Sequence, residues 1–180
     1  MIYKEREKDI PPQEILTRCW NANPHGAGIA VPLKDRVYFI KGLMSFDELI
    51  KKLYELNQKL NLRDHRLLIH LRYGTSGGIK PELTHPFPIE GEELTSLEGW
   101  AKVILAHNGV IRTLGSKEKS DTYELAEWIR NLRKKKISYK DITQILKLNN
   151  GRFILLSGRW TKLIGNWIER YGYHFSNNKF

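Results

Sequence analysis

The chain is poor in cysteine and has no long apolar run. One cysteine in 180 residues, Cys19, rules out an internal disulfide framework and any multi-cysteine zinc site. No stretch approaches the ~20 consecutive apolar residues of a membrane-spanning helix, so no membrane partner is expected. The opening, MIYKEREKDIPPQEI, has no apolar h-region of the kind a secretory signal carries, and a cytoplasmic location (the host cytoplasm for a viral source) is the default. Repeats, low-complexity segments and Gly/Ser-rich linkers are also missing, so residues 1–180 read as a single domain. His65, His70, His85 and His107 lack tight ligand spacing, and no metal is expected.

What is present is ordinary for a globular chain: 41% hydrophobic and 28% charged residues, enough for a substantial core. The charge is lopsided, with 30 Lys+Arg against 20 Asp+Glu and a net charge of +10. Such a surplus attracts nucleic acid by neutralising phosphates. It also arises from a lysine-rich surface with no nucleic-acid role. The densest cluster, Arg133-Lys134-Lys135-Lys136, falls at an expected helix end, where cations complement the helix dipole anyway.

Periodicity divides the chain into helices and strands. Pro11-Pro12 opens a helix with Ile15, Leu16, Cys19 and Trp20 on its apolar face. IAVPL and RVYFIKG are strands able to pair as a hairpin. Ser45 and Glu48 form a capping-box pattern ahead of Phe46, Leu49, Ile50 and Leu53 at helical spacing. RLLIHLRY is a strand running into GTSGG, and KPELTHPFPIEGEEL is too broken for regular structure. AKVILAHNG is the next strand. A helix follows from about Asp121 to Lys135, and Ser138 with Asp141 caps another that ends at Asn149-Asn150-Gly151. The last third returns to strands in RFILLS, RWTKLIGNW and YGYHFS. The class is α+β, in the form of two stacked sheets covered by helices.

VILAHNGVI, residues 103 to 111, poses the functional question. A core strand breaks into His107-Asn108-Gly109 and then resumes apolar character. Asn-Gly is the strongest short turn signal. An Asn carboxamide beside a glycine N–H is also a pair of donors fit for a developing oxyanion. Three other polar stretches lie at strand ends or a helix start: Arg72-Tyr73-Gly74-Thr75-Ser76-Gly77, Thr84-His85-Pro86-Phe87 and Ser120-Asp121-Thr122. Taken singly, each also reads as a turn or a cap.

In order, these stretches resemble a known set. HGAGI, RYGTSG, LTHPF, HNG and SDT are similar to the D-G/S-A-G-I, R-x-A-T-x-G, N-T-H-P-F, H-N-G and S-D-T segments of class II glutamine amidotransferases, members of the N-terminal-nucleophile hydrolase superfamily. TKLIGNWIERYGYHFSNN extends the resemblance to small phage and viral members and to nearly the whole chain. The departures are Gly74 for Ala, Leu83 for Asn and His25 for Asp. The resemblance implies a four-layer α-β-β-α sandwich and glutamine hydrolysis to glutamate and ammonia, without a cofactor. It implies that Arg72 grips the substrate carboxylate, with Tyr73, Thr75, Ser76 and His85 also substrate-binding. Asp121 would take the ammonium, and Asn108 with Gly109 would form the oxyanion hole. A guanidinium and a carboxylate suit the two ends of an amino acid on physical grounds as well.

The family's nucleophile is a cysteine directly after the initiator Met, activated by its own α-amine. Here the chain begins Met1-Ile2-Tyr3-Lys4, and its opening looks a few residues shorter than the family's. Cys19, on an apolar helix face beside Trp20, reads as a buried and inert core thiol. The expectation is therefore a glutamine-binding domain without glutaminase activity. Any transferred ammonia would need a separate acceptor (synthase) protein. The alternative expectation is a non-catalytic module, of viral type, whose basic surface binds nucleic acid or a host protein. Another amide or amino-acid-like ligand in the same pocket also fits the sequence.

Overall fold

The computed structural model describes all 180 residues as ten strands and four α-helices, with two short 3-10 turns. β1 (Ile2–Lys4) precedes α1 (Gln13–Ala22). β2 (Ala27–Leu33) and β3 (Arg36–Leu43) form the expected hairpin, then α2 (Phe46–Leu60) and β4 (Leu67–Leu71) follow. β5 (Phe87–Gly91) and β6 (Glu98–Asn108) precede α3 (Asp121–Lys134) and α4 (Tyr139–Lys147). β7 (Arg152–Ser157), β8 (Thr161–Ile164), β9 (Ile168–Arg170) and β10 (Tyr173–Phe175) close the chain. No helix is long and apolar enough to cross a membrane.

The helices start where their sequences say they should. Ser45 Oγ accepts the Glu48 N–H at 3.2 Å while Glu48 Oε2 accepts the Ser45 N–H at 3.1 Å, a complete capping box on α2. Ser120 and Ser138 each accept the N–H three residues on, at the starts of α3 and α4. Each serine thereby satisfies one of the donors that a helix start leaves unpaired.

All paired strands are antiparallel, and they make one curled sheet in the order β8-β7-β6-β3-β2-β4-β1-β10-β9, with β5 also on β6. The sequence suggested two stacked sheets; here all strands link into one hydrogen-bonded sheet through β6, which is 11 residues long. Its first part pairs with β3 (Val37↔Ala101 to Ile40↔Glu98), and its later part pairs with β5 and β7. Two further expectations are corrected. The segment read as too broken contains a 3-10 turn (Pro81–Leu83) and β5, because Phe87 and Ile89 bury against α3 despite the flanking prolines. β9 was also missed, since all three of its residues are exposed and carry no burial pattern.

Three clusters of buried side chains hold the elements together. Ile29, Leu67, Ile69 and Leu71 pack with Leu16, Cys19, Leu49 and Leu53 of α1 and α2. Leu105, Phe153 and Leu155 pack with Leu125, Ile129, Ile142 and Leu146 of α3 and α4. The alternate residues on the same strands, Ala30, Phe39 and Leu68 against Ile104, Ala106, Ile154 and Leu156, form a third cluster without helices. This period-two alternation is why Leu67–Ile69 of β4 and Val103–Ala106 of β6 are apolar at successive positions: both faces are covered there.

Gly28 has a role of close approach rather than flexibility. A Cβ there would run into the His85 carbonyl oxygen and the Ile40 carbonyl. The loop carrying His85 therefore crosses β2 in direct backbone contact. Truncating Ile104, which is fully buried, to Ala is expected to cost ~2–5 kcal/mol, against ~0.5–2 kcal/mol for Ser45→Ala. Urea unfolding of the two variants checks the ranking, and equal losses would contradict the packing described.

Candidate functional site

The ends of β4 and β6, the loops after them, the His85 segment and the start of α3 converge on one cavity. Arg72, Tyr73, Thr75, Ser76, His85, Asn108, Gly109 and Asp121 all line it, together with Asn23, His70, His107, Ser120 and Thr122. The eight residues singled out from sequence are thus neighbours. The cavity measures about 60 Å³, small beside the ~300–1,000 Å³ typical of ligand pockets, so an amino-acid-sized ligand would need a wall to move.

Arg72 forms that wall's anchor. Its side chain is buried, with Nη1 donating to the Gly78 carbonyl at 2.8 Å and Nη2 to the Ser76 carbonyl at 2.9 Å. A guanidinium has five N–H donors, so these two bonds leave capacity for an anion. Gly74 suits the arrangement, because a Cβ there would lie 2.8 Å from Arg72 Nη1. The loop is also tied across the cavity: Gly77 N–H donates to the Ser116 carbonyl at 3.0 Å, and Asp121 N–H donates to Ser76 Oγ at 3.3 Å. The Ser76 hydroxyl is therefore engaged in joining two loops. Tyr73 is 60% exposed and stacks on His25 with centroids 4.8 Å apart. His25 Nδ1 in turn accepts the Gly74 N–H at 3.0 Å.

Asp121 is buried at the start of α3. Its Oδ2 accepts the Ile111 N–H at 2.8 Å, and Oδ1 accepts the Thr122 N–H at 2.7 Å and the Thr122 hydroxyl at 3.2 Å. Burial holds the Arg72 pKa below its ordinary value, and the Asp121 charge opposes that shift. The two feel each other's field without forming an ion pair. A cation and an anion thus border one space, separate and both buried.

Asn108-Gly109 does not make a hairpin. β6 ends at Asn108, and the chain runs on through residues 110–120 to α3. Gly109 has φ 149, and a Cβ on it would lie 2.8 Å from His107 Nε2. The glycine is there to admit the His107 ring, which stacks flat on Phe153 at 4.4 Å. Gly109 N–H takes no backbone partner, and Asn108 is half-buried on the cavity wall.

Sequence reading passed over His70 and His107 as site residues. The signal was available in the placement of both on buried strands one or two residues before a polar strand end. His70 Nε2 donates to the His107 carbonyl at 3.0 Å, and the His107 N–H donates to His85 Nδ1 at 3.3 Å. The register Phe87↔Leu105 explains the second bond: it puts His85 opposite His107, where β5 has stopped pairing. Burial pushes all three histidines well toward the neutral form, His107 to about 4.

The head of the chain is close by. Met1 is buried in the helix-free cluster, and its α-amine donates to Ser176 Oγ at 2.8 Å. Burial lowers that amine to about 6. Its charge reaches both His70 and Cys19. Cys19 is a buried core thiol that does not line the cavity, with burial raising its pKa. Of the basic cluster on α3, Arg133 is engaged with Glu90 and the Ile137 carbonyl. No group of three or more His, Cys, Asp or Glu side chains is placed to hold a metal ion.

These buried bases give the fold a definite pH response. Lys41, bonded to the Glu82 and Leu94 carbonyls, is lowered by burial to about 7. A base whose pKa is lower folded than unfolded binds fewer protons in the native state between the two values, so stability rises with pH across that window. The windows are about 4 to 6.5 for His107, 6 to 8 for the α-amine and 7 to 10.5 for Lys41. Thermal unfolding should therefore show Tm climbing from pH 5 to pH 8. A Tm that is flat or falls over that range would contradict the burial of these groups. Compared with protein-family models and with curated proteins, the sequence matches none.

Proposed function

We propose that this chain is a glutamine amidotransferase type 2-like domain that binds glutamine, or a closely similar amino acid, and that none of its 180 residues supplies the family's nucleophilic thiol. The observation that carries the reading is the unpaired juxtaposition of Arg72 and Asp121 on one cavity with Asn108 and Gly109. A free α-amino acid has an anionic and a cationic end, and a buried guanidinium and carboxylate that do not neutralise each other complement it. The carboxylate would replace the Ser76 and Gly78 carbonyls on Arg72, releasing the Tyr73–Gly78 loop and enlarging the space. The carboxamide oxygen would then lie toward Asn108 and Gly109. We read the three core clusters as the seams of a four-layer α-β-β-α sandwich of the N-terminal-nucleophile hydrolase type.

The family's reaction needs a thiol at the head of the first strand, beside a free amine. Position 1 is Met, and the single cysteine lies in the core outside the cavity. An acceptor protein for ammonia has no role unless a thiol is supplied.

Calorimetric titration with glutamine is the test. Binding to the unaltered chain is expected, with Arg72→Ala and Asp121→Asn each weakening it by roughly ten- to hundredfold, the ~1.5–3 kcal/mol of a hydrogen-bonded charge. Glutamate release should be absent from the chain as it stands. Turnover by the unaltered chain, or affinity indifferent to both substitutions, would overturn the reading.

A further inference from the structure

We propose that His85 is a specificity-determining residue of this cavity: its Nε2–H is a neutral hydrogen-bond donor held for a carbonyl oxygen of the ligand. The proposal rests on the amino-acid-binding reading above and adds the group that recognises the side chain.

Hydrogen-bond accounting fixes the proton positions on three rings. The His107 carbonyl can only accept, so His70 carries its proton on Nε2. The His107 backbone N–H can only donate, so His85 Nδ1 is a bare lone pair and its proton is on Nε2. The Thr122 hydroxyl spends its hydrogen on Asp121 Oδ1, so it accepts from His107 Nδ1–H. One nitrogen is left over on each ring. His70 Nδ1 and His107 Nε2 are sealed lone pairs with no partner. His85 Nε2 takes no hydrogen bond within the chain and is not sealed, and His85 lines the cavity. It is the histidine nitrogen left open to a ligand.

That nitrogen is a donor and stays one. The His85 ring is 3.9 Å from His70 and 5.1 Å from Phe87, centroid to centroid, and its other neighbours in the field are His107, Arg72 and Lys41. Every titratable group in that surrounding is a base, so nothing there favours an imidazolium. A neutral N–H on the cavity that Asn108 and Gly109 also line suits an oxygen with lone pairs, and it offers nothing to a methyl or an ammonium. The ligand class is thus an amino acid whose side chain ends in an acceptor oxygen, for which a carboxamide carbonyl is the neutral choice, with its charged end groups handled by Arg72 and Asp121.

The experiment has two arms. Long-range 1H–15N NMR on the ligand-free protein at pH 7 should find His85 and His70 neutral and protonated on Nε2, and His107 protonated on Nδ1. A His85 proton on Nδ1, or a charged His85, overturns the proposal whatever the protein binds. Affinities for glutamine and for 2-aminopentanoate, which lacks the carboxamide, form the second arm. The unaltered protein should prefer glutamine by about tenfold, the scale of one lost hydrogen bond. His85→Leu should weaken glutamine several-fold more than it weakens 2-aminopentanoate, and His85→Gln, which keeps an N–H, should restore part of that difference. Equal weakening of both ligands by His85→Leu would make His85 structural and sink the assignment. If neither ligand binds the unaltered protein, the amino-acid reading falls and the carbonyl assignment falls with it. The NMR arm shows whether the ring protons were nevertheless placed correctly.

Discussion

His107, through its backbone and its ring, is the constraint around which the cavity is arranged. Its carbonyl is held by His70 from β4, its N–H by His85 from the segment before β5, and its ring by Thr122 at the start of α3. Three stretches remote in sequence are thereby fixed to the last turn of one strand. All of it is buried, where an unmade hydrogen bond is costly, so the arrangement is stiff. Asn108 and Gly109 follow directly, and their place on the cavity wall is a consequence of where His107 is clamped.

Stiffness on that side contrasts with the opposite wall. Arg72 is anchored, yet what it holds is a glycine-containing loop through two backbone carbonyls. Those bonds are replaceable by any better acceptor, and a carboxylate is one. A small cavity and a replaceable wall fit the proposed reading together: the same guanidinium that holds the loop is the group a ligand anion would seek. The separation of Arg72 from Asp121 makes the difference between a site and a salt bridge.

Much of the fold was legible in the sequence because its signals were local. The Ser45–Glu48 box, the Ser120 and Ser138 caps and the Ala27–Leu43 hairpin depend on neighbours within a few residues. β5 was not legible, because proline-flanked FPIEG becomes a strand only through the edge of β6 and the underside of α3. The exposed β9 gave no pattern at all. Nor could pattern alone show that β6 spans both halves of the sheet, since an 11-residue strand and two shorter ones read alike. The site followed the same rule. The residue types of Arg72, Asn108 and Asp121 were visible at strand ends and a helix start. The work of His70 and His107 was not, because a histidine in an apolar strand carries no mark of which backbone it will meet.

The central claim is that an amino acid lies between Arg72 and Asp121. A crystal structure of the protein with glutamine tests it most directly. The account predicts the α-carboxylate on the Arg72 guanidinium in place of the Ser76 and Gly78 carbonyls, and the α-ammonium on Asp121. Glutamine found elsewhere, or a closed loop with both carbonyls still on Arg72 at saturating glutamine, would contradict it.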